Sequence, residues 1–400
     1  MVHAAPTTAV ARARELGALR DEKMASSAHA FVRASPALFG AVLATQPVPV
    51  GPPVWISGDC HVENVGAVPD ARGAVAFQMN DFDESVVGNP AHDLARMALS
   101  LAVSVREAGL GGVAVHRGTA ALVDGYLGGL RARRDPRPTA PRLRAMLADA
   151  ARETRPSLLA RLTGHAHPGE LPRGPRFWPL PAPTRARLLG LVEDPGVAAV
   201  IRLGGVRPEA EVRARDAAFR VAGTSSLGGF RAAVLIEVSH RGVPKPDRRR
   251  LLDVKAVAPT HTARLGPATP RDDATRILEA TRTLAPAFGA RKTAVVVDGK
   301  HALVRELMPQ EKKADLGGLR DGELVEVARS FGALVGFAHG RQLSAARARS
   351  WGATVSERRR TPSPRWLTDA LEALLAAHEA AYHRHCAALV SAPPRPRGAR

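Results

Sequence analysis

The sequence predicts an α+β protein with two lobes, one mainly helical and one built from five antiparallel strands and a single helix. Apolar residues recur at helical spacing in the first half of the chain and near its end. Between residues 211 and 312 they fall into short runs separated by glycine-rich or polar turns, which is typical of an antiparallel sheet. We therefore divide the chain into 1–210, 211–312 and 313–390, with the helices of the third segment returning to the first, and expect a disordered tail over 391–400.

In the first half, helices surround two strands. Residues 9–43 have helical spacing that is interrupted by a proline, so they predict two helices. The apolar runs 54–56 and 74–79 each lead into a polar loop and predict strands. The helix 93–107 should be buried, because its apolar residues cover one face. The Pro-rich stretch 164–183 predicts a long loop or lid outside the core.

The second half contains the predicted sheet. Its five strands are 218–221, 230–238, 251–257, 293–297 and 302–307. A glycine-rich turn separates the first two strands, and a helix over 271–284 lies between the third and the fourth. The chain then returns to helical spacing at 321–337 and 364–389.

Composition narrows the class of protein. Of the 400 residues 45% are hydrophobic, enough for a sizeable core. No window approaches the roughly 18 apolar residues of a membrane span, and the chain does not open with a signal-peptide pattern, so we expect a cytoplasmic protein without membrane contact. Cys60 and Cys386 cannot form a disulfide framework, which agrees with a reducing compartment.

The formal net charge of +19 raises the question of a nucleic-acid partner. Only seven of the 57 basic residues are lysine, and the arginines are spread over most of the chain. Aromatic residues make up 4%, and no zinc-finger spacing or RNA-binding aromatic motif accompanies the charge. We therefore do not expect a nucleic-acid partner, although a basic nucleic-acid binder stays an alternative function. The oligomeric state stays open.

Two polar segments carry the predicted chemistry. Gly58-Asp59-Cys60-His61-Val62-Glu63-Asn64 follows the first strand, and Asn80-Asp81-Phe82-Asp83-Glu84 follows the second. Phosphoryl transfer needs a carboxylate to orient the attacking hydroxyl, and an asparagine and a second aspartate to hold magnesium against the phosphates. The spacing of these groups matches a kinase catalytic loop and its metal-binding segment. We therefore assign Asp59 and Asn64 as catalytic, Asn64 and Asp81 as Mg²⁺ ligands, and Asp83 as a supporting residue.

The same segments carry a family resemblance. Together with Asn89-Pro90-x-x-Asp93-Leu94-Ala95, they resemble the aminoglycoside and choline phosphotransferase branch of the kinase-like superfamily, which implies that Asp93 braces the catalytic loop. More closely, Phe31-Val32-Arg33, Ser57 to Gly66 and Asn80 to Glu84 resemble the bacterial domain-of-unknown-function 2252 family, over most of the chain. Ala34 departs from that family, which usually has glycine there. Asp93 also fits an ordinary helix N-cap.

The later segment indicates nucleotide binding. Small residues at Gly223, Ser225 and Gly228 would let the backbone approach an anion, and Lys255 in an apolar strand would supply a point charge to phosphates. Ser225 stands where the kinase pattern has its second glycine. Resemblance to the strand-lysine and helix-glutamate pair of kinases implies that Glu279 pairs with Lys255. An ordinary hairpin, and a lysine that reaches solvent, are the alternatives.

Because the catalytic segments precede the nucleotide segment, the resemblance implies a circularly permuted kinase-like fold that binds ATP and Mg²⁺ and phosphorylates a small-molecule hydroxyl. The backbone of 306–309 would contact adenine, by position alone. A pseudokinase-like nucleotide-binding module is one alternative. A metal-dependent phosphoesterase is another, because Asp59-x-His61 resembles the opening motif of that class, although Pro90-Ala91 interrupts its second motif and Lys255 is left without a role.

Overall fold

The computed structural model describes residues 8–70, 73–164, 169–223, 227–239, 249–265, 268–357 and 363–391. Ser225 and residues 392–400 of the predicted tail lie outside these ranges. The structure is a mixed α+β fold, and the strands pair in antiparallel fashion. Within the described ranges no helix is both long and apolar enough to cross a membrane.

The described chain begins with helices α1 (Ala9–Ala25), α2 (Ala28–Arg33) and α3 (Pro36–Leu43). The predicted break is confirmed, since Pro36 opens the first turn of α3. A second break, which the apolar spacing does not predict, separates α1 from α2. There the Ser27 hydroxyl accepts a hydrogen bond from the Ala30 N–H (3.1 Å) and caps α2.

Four short strands follow: β1 (Val54–Ile56), β2 (Val65–Pro69), β3 (Val75–Met79) and β4 (Val86–Gly88). β1 pairs with β4 and β2 pairs with β3, so the polar loops after β1 and after β3 come together. The predicted strands 54–56 and 74–79 are confirmed, apart from one terminal residue of the second. β2 and β4 are not predicted, because β2 contains Gly66 and Pro69 and β4 ends in Gly88, residue types that are depleted in strands.

Helices make up the next part of the chain: α4 (Ala91–Glu107), α5 (Gly112–Gly129), α6 (Pro141–Arg152), α7 (Arg155–Thr163), α8 (Ala182–Gly190) and α9 (Pro195–Leu203). The buried helix predicted over 93–107 is confirmed as α4. The predicted apolar face, Leu94, Met97, Ala98, Leu101 and Ala102, is at most 1% exposed.

A six-stranded sheet occupies the later part, with β5 (Phe177–Trp178), β6 (Glu211–Arg220), β7 (Arg231–Ser239), β8 (Arg249–Ala256), β9 (Lys292–Val297) and β10 (Lys300–Glu306) in the order β5-β6-β7-β8-β10-β9. The five predicted strands are confirmed with shifted ends. Between β8 and β9 lie α10 (Asp273–Leu284), capped by the Asp272 carboxylate, and the short α11 (Pro286–Gly289).

The sixth strand corrects one expectation. β5 comes from the stretch 164–183, which was predicted to be a loop outside the core. Leu171, Phe177 and Trp178 are instead buried, and they pack with the sheet or with α1. The prolines of this stretch indicate irregular backbone, but its aromatic residues determine where the segment packs.

The chain returns to the first half through β11 (Lys312–Lys313), which pairs with β2, and ends in α12 (Asp321–Gly340), α13 (Ala345–Val355) and α14 (Arg365–Ser391). The largest core joins α3, α4, α5, α10, α12, α14, β2 and β3. Alternate residues of β7 and β8 enter two further cores, one on each face of the six-stranded sheet.

Candidate functional site

The loop after β1 is held in place by Asp93. Its carboxylate accepts hydrogen bonds from the N–H groups of Ser57 (2.7 Å) and Gly58 (2.9 Å). Gly58 has φ +74°, and a Cβ there would collide with the Glu84 carbonyl oxygen. The contact that the family resemblance implied for Asp93 is therefore formed, whereas the alternative of a helix N-cap is wrong, because Pro90 occupies that position.

Asp93 itself is supported from three helices. His339 Nε2 lies 3.2 Å from Asp93 Oδ2, and His339 Nδ1 lies 3.1 Å from the Tyr126 hydroxyl, which also accepts a hydrogen bond from Trp351 Nε1 (2.8 Å). The Asp93 and His339 side chains are fully buried. This network fixes the loop that carries Asp59 relative to α5, α12 and α13.

Asp59 is 8% exposed and is paired with a buried arginine. Arg96 Nε donates a hydrogen bond to Asp59 Oδ1 (2.8 Å), while His61 Nε2 lies 3.6 Å from Oδ2. Burial raises the pKa of Asp59, and Arg96 opposes that effect only in part. Burial and Arg96 hold the pKa of His61 well below its usual value, so this imidazole is neutral.

Asn64 and Asp81 are brought together by the β2–β3 pairing. Val65 lies opposite Met79, and the Asn80 N–H donates to the Asn64 carbonyl (3.0 Å). Asn64 Nδ2 also donates to the Asp59 carbonyl oxygen (3.0 Å). The three polar residues predicted for catalysis and metal binding therefore belong to one connected unit.

Lys255 reaches this unit from β8. Its ammonium group contacts the Asp83 carboxylate and lies 4.0 Å from Asp81 Oδ1. Burial would lower the pKa of Lys255, but Asp81 and Asp83 outweigh it and raise the pKa. Burial alone would raise the pKa of Asp81, but Lys255 and further lysines bring it down to about 2. Both groups are therefore charged at neutral pH.

The predicted pairing of Lys255 with Glu279 is wrong. Glu279 is exposed on α10, and Lys255 is paired with Asp83. The inward face of α10 carries Arg276, which is fully buried and donates to the carbonyl oxygens of Asp83 (2.7 Å) and Ser85 (2.7 Å). α10 therefore anchors the Asp81–Asp83 loop through an arginine.

The glycine-rich turn meets the site in part. Gly223 (φ +94°) lines the smaller of two cavities, and its carbonyl accepts a hydrogen bond from Lys23 (2.8 Å). Gly228 (φ +114°) lines neither cavity, although its neighbours Leu227 and Gly229 line the larger one. The role predicted for Ser225 falls outside the described residues.

Residues 306–309 do not line either cavity. Glu306 is 2% exposed and paired with Arg155 (2.8 Å) and Arg250 (3.3 Å), and Leu307 and Met308 are buried. The predicted adenine contact at this position therefore lies outside these two cavities.

The smaller cavity measures about 270 Å³ and is strongly cationic. Among its described lining residues eight are basic and four are acidic. The basic residues are Arg33, Arg220, Arg231, Lys255, Lys292, Arg305, Lys312 and Lys313, and the acidic ones are Asp81, Asp83, Asp253 and Glu311. Four of the seven lysines in the sequence thus line one cavity.

Strand register explains this concentration. Arg231 lies opposite Lys255, Asp253 lies opposite Arg305, and Arg305 lies opposite Lys292, so these side chains share one face of the sheet. Asp253 accepts hydrogen bonds from Arg231 (2.6 and 2.8 Å) and from Arg220 (2.7 Å). Arg305 Nε lies 3.6 Å from Asp253 and also contacts Glu311.

The larger cavity, about 550 Å³, adjoins the smaller one. Both are lined by Asn64, Asp81, Asp83, Arg231 and Lys255. Asp59 lines only the larger cavity, whose walls include apolar residues of α1, α3 and the glycine-rich turn: Met24, Pro36, Leu38, Leu227 and Phe230.

Several residues of the site are missing from the sequence prediction. Arg231 and Arg305 enter the sequence analysis only among the dispersed arginines, and Asp253 has no predicted role. A signal is present in β8, where Asp253 and Lys255 alternate with apolar residues. Arg96 is not among the predicted site residues, although it is the one charged residue between Asp93 and Arg106 of α4.

Fold and site together define an α+β protein in which a cation-rich sheet face meets a loop pair bearing aspartates. A family model described as "Uncharacterized protein conserved in bacteria (DUF2252)" matches residues 12–388, and the chain belongs to this family. The family resemblance predicted from the motifs is thus confirmed. No curated protein and no solved structure matches the chain.

Proposed function

We propose that this protein is a Mg²⁺-dependent phosphotransferase that moves the terminal phosphoryl group of ATP to a hydroxyl group of a small molecule. One observation carries the proposal: two cavities of different character meet at Asn64, Asp81, Asp83, Arg231 and Lys255. The cationic cavity suits a phosphate chain, and the larger cavity suits an acceptor whose hydroxyl lies beside Asp59.

Asp59 would orient the acceptor hydroxyl and receive its proton. The raised pKa of Asp59 favours that transfer, because a carboxylate in a buried site is a stronger base. Arg96 would hold the carboxylate in position through Oδ1, which leaves Oδ2 towards His61 and the cavity.

The residues present also suit magnesium. In phosphate sites Mg²⁺ is bound by one or two carboxylates together with phosphate oxygens. Asp81 and Asn64 offer such oxygens, and Lys255 shows that cationic charge is accommodated beside Asp81 and Asp83. Bound magnesium would neutralise charge on the phosphate chain.

The sheet topology supports a kinase-like, circularly permuted fold. Three strands in sequence, β6-β7-β8, are followed by α10 and by β9 and β10, with β10 returning beside β8. The lysine of the third strand faces the aspartate loops, as the nucleotide lysine of kinases faces the phosphates. The contacts of α12 with α4 and α5 suit the proposed return of the chain to its first half.

A pseudokinase-like binding module is the second candidate, favoured by the ion pair between Arg96 and Asp59, which reduces the basicity of the carboxylate. The phosphoesterase alternative is less well supported. The Asn89 amide, which that class would use at its metal centre, already accepts from the Ala91 N–H (3.1 Å) and donates to the Pro49 carbonyl (2.9 Å).

The test is thermal unfolding with Mg²⁺ and ATP together, with each alone, and with neither. Saturation at about 100 times the dissociation constant adds roughly 2.7 kcal/mol to the free energy of unfolding. We expect Tm to rise only when Mg²⁺ and ATP are both present. The rise should be smaller in Lys255→Ala and unchanged in Lys300→Ala, because Lys300 is exposed on the same sheet. Formation of ADP in the presence of candidate acceptors then separates an enzyme from a binding module. No rise in Tm under any condition would contradict the proposal.

A further inference from the structure

The smaller cavity offers no apolar slot for a nucleobase. Among its described lining residues only Ala222 and Leu303 carry apolar side chains. Binding sites for flat heterocycles are lined mainly by apolar and aromatic groups. A volume of about 270 Å³ surrounded by charge is instead suited to a chain of phosphates.

The sheet floor of this cavity is filled by an ionic cluster. Asp253 is 2% exposed and binds Arg220 and Arg231, with Arg305 beside it. The arginines hold the pKa of Asp253 well below its usual value, although burial alone would raise it, so the cluster stays ionised. The surface of this floor is therefore made of charged groups that are paired with one another, and not of apolar side chains.

Two lysines of the cavity are left for a ligand. Lys312 is paired with Glu153 (3.4 Å) and Lys255 with Asp83, whereas Lys292 and Lys313 form no ion pair in the part of the chain that the structure describes. The Lys292 ammonium lies 4.2 Å from the centre of the Phe288 ring, which holds it in place. Both lysines line the cavity, so an anion inside it would meet unpaired positive charge.

We infer that the site recognises its phosphoryl donor by the phosphate chain alone, so that inorganic polyphosphate serves as donor as well as ATP. The inference rests on the proposed function. In the reaction, the acceptor oxygen bonds to the terminal phosphorus of the chain and the bond from that phosphorus to its bridging oxygen breaks. The shortened polyphosphate leaves with the electron pair, and the hydroxyl proton passes to Asp59.

The experiment compares the affinities of Mg²⁺-tripolyphosphate, Mg²⁺-ATP and Mg²⁺-GTP by calorimetry on the full-length protein. We expect the three dissociation constants to agree within about threefold, and adenosine to show no binding. A tripolyphosphate affinity more than about tenfold below that of ATP would overturn the inference and leave the proposed function intact. Failure of all three to bind would remove both.

Variants locate the binding. Lys313→Met changes an exposed residue. It should weaken the affinity for tripolyphosphate about tenfold, as expected for the loss of one ionic hydrogen bond. Lys292→Met should act in the same direction, and the exposed Lys300→Met should have no effect. Unchanged affinity in both Lys313→Met and Lys292→Met would overturn the assignment of the phosphate chain to this cavity.

Discussion

At the scale of single residues, the buried carboxylate of Asp93 organises the loop that carries Asp59. It accepts hydrogen bonds from two backbone N–H groups of that loop and also contacts the His339 imidazole. The sequence indicates that Asp93 is important but also allows a helix cap. Only the position of Ser57 and Gly58 beside α4 distinguishes the two roles, and that position depends on β1 pairing with β4.

Replacing Asp93 should therefore destabilise the fold. Asp93→Ala leaves two buried N–H donors without an acceptor, at about 1–3 kcal/mol each. Urea unfolding followed by circular dichroism measures the loss. Asp369→Ala serves as the control, because Asp369 forms a solvent-exposed pair with Arg365 whose removal should change stability by less than about 1 kcal/mol. Equal effects of the two substitutions would contradict the bracing role.

We expect the affinity for polyphosphate to depend on pH through Lys292. Burial, with Arg305, lowers the pKa of Lys292 to about 8, although Asp81 and Asp83 act in the opposite direction. An anion binds the protonated lysine more tightly, so affinity for tripolyphosphate should fall as pH rises through about 8. Lys292→Arg keeps its charge and should remove this step. Calorimetry between pH 7 and about 9.5 checks the prediction, and an identical profile in the arginine variant would refute it.

At the scale of secondary structure, the contact between α5 and α12 relies on glycine. A Cβ at Gly125 or Gly129 of α5 would collide with backbone of α12, and one at Gly332 or Gly336 would collide with backbone of α5. The close approach lets Tyr126 reach His339. These glycines therefore support the Asp93 network from a distance.

Gly332→Ala should separate the two helices. Overpacking costs about 1–3 kcal/mol and outweighs the gain in helix propensity. Gly128→Ala, in the same α5 helix but facing open space, should be neutral or stabilise by up to about 1 kcal/mol. Denaturant midpoints of the two variants provide the comparison. A Gly332→Ala variant with the denaturant midpoint of the unmodified protein would contradict the prediction, since the helices could then move apart without cost.

Most of the helices and strands named from the sequence are present, because amphipathic spacing survives in α4, α10, α12 and in β6 to β10. The spacing of apolar residues does not predict as reliably which charged residue of a helix faces inward. Glu279 and Arg276 lie three positions apart on α10, and packing against the Asp83 loop selected the arginine for the inward face. Strands as short as β4 and β5 depend on partners distant in sequence.

At the scale of the whole molecule, part of the net positive charge is concentrated around the smaller, cationic cavity. Residues from Arg33 to Lys313 line the cationic cavity, so no local motif could reveal it. Asp59, Asn64 and Asp81 are identifiable because they lie at regular spacing in two polar loops, and Lys255 because it is one of seven lysines and lies in an apolar strand. The arginines around Asp253 come together only when the sheet forms its register.

Contacts across the site join the sheet to the first half of the chain. Lys255 contacts Asp83, Arg276 binds the Asp83 carbonyl, and Thr260 donates a hydrogen bond to Glu84 (2.8 Å). A ligand that draws Lys255 away from Asp83 therefore acts at the junction itself. The division into 1–210, 211–312 and 313–390 remains a prediction, and β5 already crosses the first boundary by joining the sheet.

Amide hydrogen exchange, with and without saturating Mg²⁺-ATP, tests whether phosphate and magnesium bind where the two cavities meet. We expect slower exchange in peptides that line the two cavities, 78–85, 219–223, 229–232 and 311–314, and no change in the outer part of α14. Asp81→Asn should abolish the protection if Asp81 binds the metal. Protection confined to other segments, or absent at saturation, would contradict a phosphate and magnesium site at the meeting of these cavities.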